Sequence, residues 1–130
     1  MLSLIKGFKQ LLAGANAVIE TVSVQHAMQM AAEGNVQFVD IREPGEVASG
    51  TIPGAVHVPR GLLEFAADPE SPMHKPEFSA GRKLVLFCAS GGRSTLATKT
   101  LTDMGFTEVC HIAGGFTAWK AAGGKVGEPG

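Results

Sequence analysis

Four short apolar runs stand out along the chain: VQFVDI at 36–41, AVHVP at 55–59, KLVLFC at 83–88 and EVCHI at 108–112. Runs of this length and composition predict strands. The segments between them carry helical signals. SVQHAMQMAAEG at 23–34 opens on Ser23, a good N-cap residue, and stops at Gly34. EPGEVASG at 43–50 has Pro44 at a first helical position. STLATKTLTDMG at 94–105 puts Leu96, Ala97, Leu101 and Met104 on one face and ends at Gly105, a residue suited to a helix C-terminus. GFTAWKAAGG at 115–124 predicts a short helix with Trp119 turned inward. Strands alternating with helices predict an α/β domain, with a central, mainly parallel sheet flanked by helices on both faces. Sites in such sheets form beyond the carboxyl ends of the strands, and Cys88 lies at one of these ends.

The flanks divide the chain further. Leu4, Ile5, Phe8, Leu11 and Leu12 follow helical spacing, so residues 1–21 predict an amphipathic helical extension. It packs on its own domain or on a second copy, as a homodimer. Lys6, Lys9 and the Ala15-Asn16-Ala17 stretch weakly imitate a signal peptide, but Gly14 and Asn16 interrupt the apolar run. Export or contact with a membrane surface is the other reading of this segment. Residues 22–124 form the domain, and GGKVGEPG predicts a tail that is flexible over 125–130. Residues 59–81 make a long connection with four prolines, in which Leu62, Leu63 and Phe65 suggest an inward-packing helical turn. Connections of this length often rim a pocket.

Composition narrows the chemistry. With 130 residues, 45% hydrophobic and 18% charged, the chain suits one globular domain. A formal net charge of -1 argues against nucleic acid as the main partner, since phosphate binding needs a basic surface. Two cysteines, Cys88 and Cys110, make no disulfide framework, which fits a reducing cytoplasm. His26, His57, His74 and His111 are scattered at no zinc-binding spacing, so neither a metal nor a cofactor is implied.

Cys88 is followed by Ala89, Ser90, Gly91, Gly92, Arg93 and Ser94. A thiol needs nearby positive potential to become a thiolate at neutral pH. Small residues let the loop curl so that successive amides point inward as an anion nest. A helix starting near Ser94 aims its positive end at the same place, and Arg93 adds a full charge for the loop or an anionic substrate. Cys110, between Val109 and Ile112, has no such loop and reads as a structural strand residue.

Three segments carry a family resemblance. CASGGRS at 88–94 matches C-x-x-G-x-R-S, the active-site loop of the rhodanese sulfurtransferases. VDIREPGEVASGTIPGA at 39–55 resembles their D-x-R-E-x-x-E…G-H-I-P-G-A segment, and AGGFTAW at 113–119 resembles their closing G-G-x-x-A-W. Order and spacing agree from about Val22 to Ala122. The resemblance implies a rhodanese-like fold of the single-domain type and a Cys88 nucleophile. Cys88 would take the outer sulfur of a small donor such as thiosulfate as a persulfide and pass it to cyanide, a thiol or a protein thiol. The amides of residues 89 to 93 would hold that persulfide.

Two positions depart from the pattern. Ala89 stands where many members carry a basic residue that helps bind the anionic donor, and Thr51 stands where the pattern often has His. Arg60 is a candidate substitute for the missing base, or a solvated surface residue. Asp40 and Arg42 either line the pocket or pair with each other to fix the REPGE turn. Glu43 and Glu46 suit the first turn of the next helix, and Gly114 and Gly115 suit a tight turn before Trp119. Two rival functions are a rhodanese-fold phosphatase or arsenate reductase and a non-catalytic binding module. The phosphatases place five residues between Cys and Arg. Here there are four, a loop better sized for one sulfur atom than for a phosphoryl group.

Overall fold

The computed structural model describes residues 1–128. Five parallel strands form one sheet in the order β1-β5-β4-β2-β3: β1 Glu20–Val22, β2 Val36–Asp40, β3 Val56–His57, β4 Lys83–Phe87 and β5 Val109–Ile112. Helices α1 Phe8–Asn16, α2 Val24–Glu33, α3 Pro44–Val47, α4 Leu63–Ala67, α5 Gly92–Met104 and α6 Gly115–Ala121 complete the α/β architecture.

Strand periodicity sorts the core into two halves. Leu84, Leu86 and Cys88 point to one face, with Val39, Ile41, Leu63, Ala66, Phe78, Ala97 and Leu101. Val85 and Phe87 point to the other, with Phe38, Val22, Ala27, Ile112, Phe116 and Trp119. Successive residues of β4 are therefore buried on opposite faces, as in a sheet covered on both sides. Helices α4 and α5 cover the first face and α2 and α6 the second.

Local capping behaves as the residue types dictate. Ser23 Oγ accepts from the His26 amide 3.1 Å away and starts α2. Gly34, at φ 74°, ends it in the left-handed region. Pro44 opens α3, and Glu46 reaches back 3.0 Å to the Glu43 amide.

Several expectations need correction. The boundary at residue 22 cuts through β1, because Glu20–Val22 pairs with Cys110–Ile112 inside the sheet. The N-terminal helix begins only at Phe8, after Gly7, so Leu4 and Ile5 lie outside it. Phe8 and Leu11 of the expected apolar face are exposed, while Ala15 is buried where α1 packs on α5. Met104 is also exposed. The buried face of α5 is Ser94, Thr95, Ala97, Thr98 and Leu101. Its hydroxyls can be buried because each finds a hydrogen-bond partner, as Thr98 Oγ1 does at Ser94 O (2.7 Å). In the long connection Leu63 packs inward, but Leu62 and Phe65 are exposed, and Phe78 fills that part of the core. The tail expected to be flexible from Lys125 is bonded at its start. Lys125 O accepts from Trp119 Nε1 (2.8 Å), and Gly127 exchanges two backbone bonds with Thr51 (2.8 and 3.0 Å). Residues 129–130 of that expected tail lie outside the described residues.

Candidate active site

Cys88 directly follows β4 at the carboxyl edge of the sheet, and a short loop leads from it into α5. The turn depends on Gly91, whose φ of 111° lies in the region that disfavours any side chain. Gly92 carries no such demand: it has ordinary φ, and a Cβ there would meet nothing within 4 Å.

The curl brings amides to the sulfur. Gly91 N–H donates to Cys88 Sγ at 3.2 Å and Ser94 N–H at 3.3 Å, with Ser94 Oγ 3.5 Å away. The opposite poles of the loop are held elsewhere. Cys88 O accepts from Phe116 N–H (2.8 Å) and Ala89 O from Thr117 N–H (3.0 Å), both in the first turn of α6. Gly115 permits that approach, since a Cβ at its φ of 59° would lie 2.7 Å from Ala89 O. The start of α6 thus turns the loop's carbonyls away from the sulfur, leaving its N–H groups facing inward.

This environment sets the thiol's acidity. Burial alone would push Cys88 up. The Ser94 hydroxyl and the amides of Ser94, Gly91 and Ser90 outweigh it and hold the thiol below its ordinary value. Cys110 is the contrast: burial without donors pushes it up to about 12. The donors favour the ionised form of one thiol, while burial holds the other in its protonated form.

The remaining charged candidates are committed to partners. Arg93 forms a two-pronged pair with Glu46 (2.8 and 2.9 Å). The Arg93 guanidinium, then the Glu43 amide, hold the Glu46 carboxyl at about 2. Arg60 bonds Glu64 at 3.3 Å and Thr100 Oγ1 at 3.0 Å. Asp40 and Arg42 form a buried pair at 2.7 Å. Asp40 also accepts from Thr51 Oγ1 (2.7 Å), and Arg42 donates to Gly50 O (2.7 Å) and lies 4.4 Å over the Phe116 ring. Arg60, Asp40 and Arg42, considered for a pocket, are thus each engaged in bonds within the fold. The loop residues Ala89, Ser90, Gly91, Gly92, Arg93 and Ser94 do gather about Cys88.

Two participants are not legible in the sequence. Its pattern marks Glu46 only as a helix-start acid, because the pairing with Arg93 spans 47 positions. His111 is one of four histidines scattered along the sequence, yet its Nδ1 lies 2.9 Å from Ser94 Oγ, directly behind the sulfur. The available signal was a histidine inside an apolar strand run, but the register that brings it under α5 is not local information.

Comparison with known proteins follows the same geometry. Residues 23–122 match the family model described as Rhodanese-like domain. A human thiosulfate:glutathione sulfurtransferase is 33% identical over 105 residues, covering 76% of this chain and 91% of that protein. A sulfurtransferase of Allochromatium vinosum is 34% identical, covering 82% of this chain and 92% of its own. Among solved structures, a Rhodopseudomonas palustris protein of unknown function, described as a possible tyrosine phosphatase, is 44% identical. It covers 98% of both chains at a TM-score of 0.92.

Proposed function

The chain belongs to the rhodanese-like domain family, and from that premise we propose that it is a sulfurtransferase working through a Cys88 persulfide. Its similarity to named sulfurtransferases supports rhodanese-type sulfur transfer in general. The observation that carries the finer reading is the sulfur's surroundings: two amides and a hydroxyl converge on Cys88 Sγ, and among the described residues no acid is bonded to it.

The Cys88 thiolate attacks the outer sulfur of a donor such as thiosulfate. The donor's S–S bond breaks, and sulfite leaves with the bonding electron pair. The new terminal sulfur is anionic and rests against the inward N–H groups, which stabilise it without a moving proton. An acceptor thiolate, or cyanide, then attacks that sulfur and returns Cys88 as thiolate. No general base is needed in either half, since both nucleophiles enter as anions. A thiol such as glutathione or a protein thiol suits the second half in a reducing cytoplasm.

The donor site is weakly cationic. Ala89 brings no charge, and Arg93 and Arg60 are engaged by Glu46 and Glu64. Thiosulfate should therefore bind with low affinity, and the acceptor rather than the donor should dominate specificity.

Phosphatase activity is the second reading, favoured by the description of the Rhodopseudomonas palustris relative. Against it stand the four-residue spacing from Cys88 to Arg93 and the engagement of Arg93 by Glu46. Intact mass after incubation with thiosulfate separates the two. The expected result is one added sulfur that disappears with cyanide and never appears in Cys88→Ser. No sulfur uptake, together with phosphate release from an aryl phosphate, would sink the sulfurtransferase assignment.

A further inference from the structure

Behind the candidate nucleophile lies a buried chain of hydrogen-bonding groups that the reaction above does not use. Cys88 Sγ lies 3.5 Å from Ser94 Oγ, and Ser94 Oγ lies 2.9 Å from His111 Nδ1. On its far side, His111 Nε2 lies 3.1 Å from Thr21 Oγ1 and 3.4 Å from Thr95 Oγ1. Cys88, Ser94, Thr95 and His111 are buried, whereas Thr21, on the edge strand β1, is exposed to water.

Counting protons restricts what this chain can do. Ser94 has one hydroxyl proton and three neighbours that could take it: Cys88 Sγ, His111 Nδ1 and Gly91 O at 3.2 Å. Gly91 O is already occupied, accepting from Thr95 N (2.9 Å) and Thr95 Oγ1 (2.7 Å). The Ser94 proton therefore points to the sulfur or to the imidazole. When Cys88 is a thiolate, Ser94 must donate to it, and the lone pair left on Ser94 Oγ suits an Nδ1–H donor. When Cys88 is a thiol, its S–H donates to Ser94 Oγ and Ser94 donates to bare Nδ1.

We propose that His111 is a positioning residue for the Cys88 thiolate: its Nδ1–H tautomer locks the Ser94 hydroxyl onto the sulfur, and its tautomer switches with the charge of Cys88. The switch balances. The thiol gives its proton to Ser94 Oγ, Ser94 gives its own to Nδ1, and Nε2 releases one to water by way of Thr21 Oγ1. Burial, the sole cause of its shift, holds His111 below its ordinary value and so favours the neutral ring. The groups bonded to the ring are the hydroxyls of Thr21 on β1 and of Ser94 and Thr95 on α5, and none of them is charged. Across the sheet its register partners are Thr21 and Leu86. The inference deepens the sulfur-transfer reading but rests on it only for its consequence in turnover, because thiol acidity can be measured without any sulfur donor.

The test follows alkylation of the Cys88 peptide by iodoacetamide as a function of pH, with mass-spectrometric readout. His111→Leu removes the donor, and His111→Asn keeps a short N–H donor on the same side. His111→Leu should raise the apparent Cys88 pKa by about one unit, so that on the acidic limb of the pH profile its alkylation slows about tenfold. His111→Asn should recover most of that loss. Alkylation of folded His111→Leu at the wild-type rate across the pH range overturns the proposal, as does His111→Asn as slow as His111→Leu. The unmodified protein supplies a readout free of folding effects: ¹⁵N NMR of His111 should pass from the Nε2–H to the Nδ1–H tautomer as Cys88 titrates. A single tautomer throughout that titration overturns the proposal. A Cys88 that shows these shifts yet accepts no sulfur from thiosulfate supports the role of His111 while overturning sulfur transfer.

Discussion

Cys88 and Arg93 sit five positions apart on one turn, yet their charges are handled differently. The thiolate is stabilised by uncharged donors, while the guanidinium is engaged by the Glu46 carboxylate. A two-pronged arginine–carboxylate pair fixes both planes and reduces the attraction the arginine offers to a third, anionic group. Glu46→Gln should therefore release Arg93 toward the donor. We expect KM for thiosulfate to fall several-fold with kcat little changed, measured by sulfite release. An unchanged KM would mean that Arg93 does not face the donor. The same pair sets a pH dependence. Glu46 ionises at about 2 in the fold against an ordinary 4.5, so its contribution to stability is complete above 4.5 and is lost as pH falls toward 2. Both partners are more than a third exposed, so screening keeps the effect small. In urea melts between pH 5 and 2.5, wild type should lose slightly more stability than Glu46→Gln. Equal losses would show that the pair adds nothing to folding.

Among the elements, the meeting of α6 with the loop after β4 matters most. Phe116 N–H and Thr117 N–H bind the carbonyls of Cys88 and Ala89, and this geometry is what leaves the nest's N–H groups facing the sulfur. Gly115→Ala would drive a methyl group into those carbonyls at a backbone angle that disfavours alanine. A loss of about 1–3 kcal/mol is expected, of the size typical of strained backbone positions. Sulfur uptake per folded molecule should drop as well, because the loop must shift. Gly92→Ala is the matched control for stability: at the start of α5, in open space, it should stabilise by about 0.5–1 kcal/mol. Thermal melts of the two variants moving in the same direction would refute this account of the loop. The contrast between these two glycines also shows what the sequence could and could not reveal. The Cys88 loop, the Ser23 and Gly34 caps and the Pro44 start were legible because each is written within a few residues. Strand β1 was not, since Glu-Thr-Val has no apolar run and becomes a strand only by pairing with β5. Nor were the His111 contact or the exposure of Phe8 and Leu11, which depend on how distant elements are brought together.

At the scale of the molecule, one buried ion pair ties distant parts of the chain together. Asp40 ends β2 and accepts from Arg42 N–H, Nε and Nη2 and from Thr51 Oγ1. Arg42 reaches Gly50 O and lies over Phe116 of α6, the helix that holds the sulfur loop. Thr51, through its backbone, holds Gly127 near the C-terminus. Two charges so deeply buried are costly to desolvate, and the pair need not out-stabilise an apolar replacement. Removing only one partner is different, because it leaves the other charge stranded. Asp40→Ala should therefore destabilise by about 3–5 kcal/mol, a large share of the roughly 5–15 kcal/mol that holds most domains together. Asp40→Asn should cost less than Asp40→Ala, since its one carbonyl oxygen can still accept from the Arg42 amide or from Thr51, though not from both. Urea denaturation reads both. If the pair serves the fold rather than the chemistry, Asp40→Asn molecules that remain folded should take up sulfur at close to the wild-type rate. A variant that stays folded but accepts no sulfur would place Asp40 and Arg42 in the reaction itself, as pocket residues acting on the donor.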